Sequence, residues 1–126
     1  MTVARVIVGK VEIPTSTPSL NRLLAMHWAK RQKLKAEMLA WVRLEHVNRR
    51  LRPATKHRYC QVVRYYRHPR YKLDADNLAG GAKPLIDALV YRKLLLDDSP
   101  EHVTLSYEQQ NRDQGGTLVL LSELED

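Results

Sequence analysis

Two aspartates two residues apart, Asp74 and Asp76, sit in the run Leu73-Asp74-Ala75-Asp76-Asn77-Leu78, and a second pair follows in Leu96-Asp97-Asp98-Ser99-Pro100. Carboxylates gathered in one place repel one another unless protons or a cation neutralise them. Mg²⁺ suits such a cluster, because it takes hard oxygen ligands and keeps waters and phosphate oxygens in its shell. A metal held in this way generates hydroxide from water and offsets charge developing on a phosphate, which is the chemistry of phosphodiester hydrolysis. In an extended segment positions i and i+2 point the same way, so Asp74 and Asp76 are expected to face one site. A plainer reading stands beside this one. Asp-x-Asp and Asp-Asp-Ser-Pro are ordinary cap and turn sequences, in which Asp76 or Asn77 accepts from the free N–H groups of a helix start.

Lys83 and Asp87 are the next candidates, seven and eleven residues beyond Asp76. One helix running through would place all three on one face. A lysine beside carboxylates and a metal stabilises a scissile phosphate or a leaving oxygen. The same spacing also makes Lys83 and Asp87 an i, i+4 surface ion pair worth little. Five histidines, His27, His46, His57, His68 and His102, show no paired metal-ligand spacing, and only His68 lies in a basic loop where a phosphate would reach it. Tyr71, between Arg70 and Lys72, either stacks on an unpaired base or packs on its own domain. No Gly-rich phosphate loop, Ser-His-Asp order or zinc spacing is present. The single cysteine, Cys60, excludes an internal disulfide framework and a four-cysteine zinc site.

The partner for this chemistry is written in the charge. The 126 residues carry 21 Lys and Arg against 14 Asp and Glu, a formal charge of +7. The excess is local: the stretch from Lys30 to Lys72 holds 14 Lys and Arg against Glu37 and Glu45 only, and the rest of the chain is net acidic. Such a split favours a polyanionic partner, with Lys30, Lys33, Arg67, Arg70, Tyr71 and Lys72 as DNA-contacting candidates. The bland alternative is a solvated helix face. No apolar run reaches the ~18 residues of a membrane span, and Met1 to Lys10 lacks the pattern of a signal peptide. A cytoplasmic protein with no membrane partner and no nucleotide or organic cofactor is therefore expected.

The elements that must position these residues follow from periodicity and breakers. Residues 3–13 are rich in Val and Ile and read as a first strand. Pro14 to Pro18 is a break, and Ser19-Leu20-Asn21-Arg22 reads as a short loop. A long helix is predicted from about Met26 to Arg50, with Leu34, Met38, Trp41 and Val42 at helical spacing and Pro53 as its stop. A second strand over 57–66 and the basic loop His68–Lys72 lead into the acidic run. A second helix is predicted from Lys83 to Arg92, with Pro84 tolerated in its first turn. Whether it already begins at Asp76, across Gly80 and Gly81, is open at this level. Strands over 102–109 and 117–122, joined by a polar turn, close the chain. The expected order β-α-β-α-β-β is a single α/β (α+β) domain over residues 1–126, a mixed sheet with two main helices packed against it.

With these residues in place the chain resembles the RusA-type Holliday junction resolvases, small endodeoxyribonucleases of phage, prophage and bacterial origin. The likeness rests on Pro18-Ser19-Leu20-Asn21-Arg22 after the opening strand, the basic first helix, and Leu73-Asp74-Ala75-Asp76-Asn77-Leu78. It continues through Lys83-x-x-x-Asp87-Ala88-Leu89, Leu96-Asp97-Asp98 and the closing strand pair. The resemblance implies a homodimer that binds four-way DNA junctions and, with Mg²⁺ (Mn²⁺ substituting), nicks two opposing strands. It implies Asp74, Asp76 and Asp98 as metal-binding catalytic carboxylates and Lys83 as the essential lysine, with Asn77, Asp87 and Asp97 as supporting residues. The chain departs from the family pattern where Ala79-Gly80-Gly81-Ala82 intervenes between Leu78 and Lys83, which leaves the reach of Lys83 open. Two alternatives share the basic surface: a non-catalytic DNA-binding or architectural module, and a nuclease for other branched DNA.

Overall fold

Alternating apolar residues and one long breaker-free segment build a four-stranded mixed sheet with helices on one side. The computed structural model describes residues 4–125, so Val3, the first residue of the expected opening strand, lies outside the described residues. The elements run β1 (Arg5–Ile13), α1 (Leu20–Ala25), α2 (Trp28–Asn48), β2 (Arg58–Tyr66), a 3₁₀ turn (Pro69–Tyr71), α3 (Ala75–Gly81), α4 (Lys83–Tyr91), β3 (Val103–Asn111) and β4 (Gly116–Leu124). The expected order therefore holds, with each helical position occupied by two helices.

The sheet order is β1-β4-β2-β3. β4 is antiparallel to both β1 and β2, whereas β2 and β3 run parallel, with Arg58 opposite Val103 and Tyr66 opposite Asn111. The closing strands are thus not paired with each other. Their connection passes the end of β2, where Arg112 donates its backbone N–H to Tyr66, and β4 inserts between β1 and β2. A parallel pair needs a crossover, and α3 and α4 are that crossover, so the acidic run lies on the connection from the central strand β2 to the edge strand β3.

Val11, Ile13, Cys60, Val62, Val119 and Leu121 of the inner sheet face form one core with Met38 and Val42 of α2 and Leu85, Ile86 and Leu89 of α4. Cys60 sits inside it, and burial pushes its thiol up to about 12, so it presents no thiolate at neutral pH. The opposite sheet face is bare of helices: Arg5, Ile7, Tyr59, Gln61, Leu120 and Ser122 surround a depression of about 300 Å³.

Two local readings are corrected. Residues 20–25 form a helix where a loop was expected: Ser19 caps it by accepting from the N–H of Arg22. That short helix is held from outside, because the Pro18 carbonyl and Leu20 pack on Gly81 and Gly80 of α3, so closely at Gly81 that a Cβ would overlap the Pro18 carbonyl oxygen. The long helix stops at Asn48 and not at Pro53, because Arg50 takes a left-handed conformation (φ 51) while Leu51 donates back to the His46 carbonyl.

Two arginines counted in the basic stretch serve the fold. Arg58 is 3% exposed, pairs with Glu123 at 2.8 Å and donates to the carbonyls of Leu94 and Arg52. Arg64 is 8% exposed and donates to the Thr17 carbonyl at 2.7 Å and the Tyr71 carbonyl at 3.0 Å. Buried charges persist only when paired and hydrogen-bonded, and both are.

Candidate functional site

Asp74 is the N-cap of α3, extended at φ −71 and ψ 169, and its Oδ1 accepts from the backbone N–H of Asn77 at 2.9 Å. The acidic run is therefore a cap followed by a first helical turn, and the extended arrangement expected for Asp74 and Asp76 is not what forms. The capping residue is Asp74, where Asp76 or Asn77 was the alternative. Asp76 lies exposed in the first turn, where a carboxylate also complements the helix dipole.

Asn77 is bound directly to Asp74. Its side-chain Nδ2 donates to both Asp74 oxygens at 3.2 Å, and its Oδ1 accepts from the backbone N–H of Asn21 at 2.9 Å. Asn77 thus links the aspartate to α1. The Asn77 backbone N–H, with a further contribution from its side chain, holds the Asp74 carboxyl below the ordinary carboxylate range. Gln109 of β3 fixes the residue before: it accepts from the Leu73 N–H at 2.9 Å and donates to the Leu73 carbonyl at 2.8 Å.

Lys83 opens α4, separated from α3 by Ala82 alone. The Gly80-Gly81 stretch is helical, and past it Lys83 meets Asp87 and Asp98. Its Nζ contacts Asp98 and pairs with Asp87 at 2.9 Å. All three side chains are more than two-fifths exposed, so the group contributes little to stability. Its electrostatic state is nonetheless set: Asp98, then Asp87, raises the Lys83 pKa, and the Lys83 hydrogen bond lowers that of Asp98. The charged pair thus contributes above the ordinary carboxylate value of 3.8, fading as pH falls through Asp98's lowered pKa. At the alkaline end it contributes below 10.5 and fades as pH rises through Lys83's raised pKa. Replacing Asp98 by asparagine is expected to lower the Lys83 pKa, and Asp87→Asn to lower it less. Titration of the lysine Cε signal by ¹³C NMR checks this, and equal or absent shifts contradict it.

Among the described residues, no three His, Cys, Asp or Glu side chains are already grouped to hold a metal ion. The donors nevertheless match Mg²⁺ in kind, being exposed carboxylate oxygens. Asp74 and Asp98 are also biased toward the ionised form a ligand needs. The positive charge now beside Asp98 and Asp87 is the Lys83 ammonium. Asp97 is exposed next to Asp98.

The basic candidates fall on two adjoining depressions. One, of about 380 Å³, is lined by Arg22, Arg64, Arg67, Arg70, Tyr71 and Leu73, among others. The other, of about 400 Å³, is lined by Lys30, Lys33 and Glu37 together with Met26 and Leu34. Both include Ser16, Pro18 and Arg22 in their walls. Residues far apart in sequence thus share a groove along α1, and it reaches Leu73, the neighbour of Asp74. Lys72 is exposed beside it. Tyr71 is half-exposed, with the Arg70 guanidinium 4.9 Å from its ring centre. The His68 ring nitrogen Nδ1 accepts from the Arg70 N–H and so caps the 3₁₀ turn. A larger depression of about 650 Å³ under the β3–β4 connection includes none of Asp74, Asp76, Lys83 and Asp98 in its walls.

Sequence reasoning missed Arg22, Arg64 and Gln109 as site residues. Arg64 and Gln109 carried a readable signal, since Arg64 shares the inward parity of Cys60 and Val62, and Gln109 that of Leu105 and Tyr107. A polar residue on a buried strand face must satisfy something, and here it is the backbone leading into the acidic run, at Tyr71 and Leu73. No described helix is long and apolar enough to cross a membrane. No family model matches the chain, and no curated protein matches it.

Proposed function

We propose that this protein is a Mg²⁺-dependent endodeoxyribonuclease that resolves four-way DNA junctions, as its resemblance to the RusA-type resolvases implies. The observation that carries the reading is the meeting of Lys83 with Asp98 and Asp87, together with a basic groove whose wall includes Leu73, the residue before Asp74 in the chain. A lysine held between two carboxylates and a groove lined by Arg22, Arg67 and Arg70 are more than a cap and a turn require.

Asp74, Asp76 and Asp98 would hold the metal. When bound, the metal supplies an activated water and offsets charge on the phosphate. The chain's own residues do the rest. Asn77 keeps Asp74 ionised and oriented, and Gln109 fixes the backbone leading into it. Asp98 and Asp87 raise the Lys83 pKa, so at neutral pH it offers a positive charge to a developing oxyanion. Arg22, Lys30, Lys33, Arg67 and Arg70 follow the phosphate backbone. A two-fold-symmetric junction calls for two sites related by the same symmetry, hence a homodimer.

The test is cleavage of an end-labelled four-way junction beside linear duplex and a fork, with Mg²⁺ and with EDTA. Paired symmetric nicks confined to the junction and lost in EDTA support the proposal. Equal cutting of the fork moves the assignment to branched DNA in general. Binding without any cut favours the DNA-binding module, whose acidic residues only cap helices.

A further inference from the structure

Beside buried Arg64, three further arginines line one cavity: Arg22 on α1, Arg67 just beyond β2, and Arg70 in the 3₁₀ turn. No Asp or Glu lines it, and among the described residues no carboxylate pairs with any of the three. Like charges brought together without a counter-charge cost free energy unless an anion joins them. The cavity is also built before any ligand arrives. Buried Arg64 ties the wall at Thr17 to the wall at Tyr71, and Ser16 bridges the Tyr65 carbonyl and the Gly116 N–H. Guanidinium groups present paired donors that match phosphate oxygens. A volume of about 380 Å³ accommodates a phosphate with its attached sugar.

We infer that Arg22, Arg67 and Arg70 together seat one phosphodiester of a DNA strand, separate from the scissile phosphate and next to it. Leu73 lines the cavity and Asp74 follows it in the chain, so a strand with one phosphate in this pocket presents the adjacent one toward the carboxylates. The inference rests on the DNA-binding part of the function proposed above. It adds a single-phosphate subsite that indexes the strand, in place of a diffuse basic patch.

Three arginines on one phosphate and three arginines on three phosphates differ in salt dependence. Each neutralised phosphate contributes about 0.9 to the slope of log affinity against log salt on duplex DNA. Binding of a fluorescent four-way junction is measured by anisotropy in EDTA over a salt series. The proteins are wild type, Arg22→Ala, Arg67→Ala and the double variant, with Arg5→Ala, on the helix-free sheet face, as control. With one phosphate shared by three arginines, the pocket predicts that each single variant loses less than about 0.9 of slope and that the double variant loses no more than about 0.9. A double variant losing about twice as much, or none losing any, overturns it.

Failure here is separable from failure of the nuclease reading. Normal cleavage with about 0.9 of slope lost per arginine removes the pocket alone. No cleavage with losses held within about 0.9 in the double variant removes the nuclease alone. Titration with inorganic phosphate gives a DNA-free readout at the arginine Nε–Hε signals of ¹⁵N-labelled protein. Joint shifts of Arg22, Arg67 and Arg70 support the pocket, and no shift overturns it.

Discussion

Replacing Lys83 by alanine is expected to slow junction cleavage by about 10²–10³-fold, the range seen when one preorganised donor to a developing oxyanion is removed. The fold should hardly notice. Lys83, Asp87 and Asp98 are all well exposed, so the thermal midpoint is expected to stay close to that of wild type. A second consequence separates this role from a structural one. The ammonium pairs with Asp98, and a metal bound there as proposed would compete with it for the same carboxylate. Without Lys83 the Mn²⁺ concentration giving half-maximal cleavage should fall even as the maximal rate collapses. Single-turnover cleavage over a Mn²⁺ series measures both. An unchanged rate would mean that the lysine only makes a surface ion pair with its neighbours.

The second large effect belongs to a glycine. A Cβ at Gly81 would lie 1.7 Å from the Pro18 carbonyl oxygen and 3.1 Å from the Ser19 carbonyl carbon. These obstacles are backbone and cannot swing aside, so α1 has to leave α3 to admit even a methyl group. Gly81→Ala gains up to about 1 kcal/mol of helix propensity, yet its net effect is expected to be a loss of roughly 3 kcal/mol or more from overpacking. Gly80→Ala should cost less, because its nearest obstacles are Leu20 side-chain atoms 2.8–2.9 Å away, of which Cγ and Cδ2 can turn, against a carbonyl oxygen at 1.7 Å for Gly81. Urea denaturation followed by circular dichroism ranks the two, and a Gly81→Ala protein as stable as wild type contradicts the packing described. The effect reaches the site, since the α1–α3 contact carries the Asn21–Asn77–Asp74 hydrogen bonds. A Gly81→Ala protein still folded at low temperature is expected to cleave more slowly as well.

Much of this architecture was legible in the residues, and what was not has physical reasons. Strands announce themselves by the parity of Val11 and Ile13, Cys60 and Val62, Val119 and Leu121, because one face must be buried. Strand order has no such marker: the short connection after Asn111 suits a hairpin as well as the passage it makes past the end of β2. Helix α1 went unread because six residues cannot hold a helix alone, and its support comes from Gly80 and Gly81, some sixty residues away in sequence. The end of α2, expected at about Arg50, falls at Asn48, but what stops it is the left-handed conformation of Arg50, usually left to glycine, and not Pro53.

For the site, residue types were readable and roles were not. Asp74, Asp76, Lys83 and Asp98 stand out by spacing, but that Asp74 is a cap depends on a helix starting at Ala75. That Lys83 reaches Asp98 depends on Gly80 and Gly81 being helical. The basic residues illustrate the limit from the other side: Arg58 and Arg64 count toward net charge but are used up inside. Arg22, outside the basic stretch, lines both halves of the groove.

The central claim is that the exposed aspartates at the start of α3 and ahead of β3 perform metal-dependent strand cleavage. Asp76 tests it best, because it is exposed and is not the cap, so its loss leaves the helix start intact. Wild type and Asp76→Asn are compared on the labelled four-way junction, with Mg²⁺ and with EDTA, after anisotropy has shown equal junction binding. Symmetric nicks by wild type in Mg²⁺, absent in EDTA and absent in Asp76→Asn, are the predicted result. Cleavage by Asp76→Asn at the wild-type rate would contradict the claim and return the acidic run to a purely structural role.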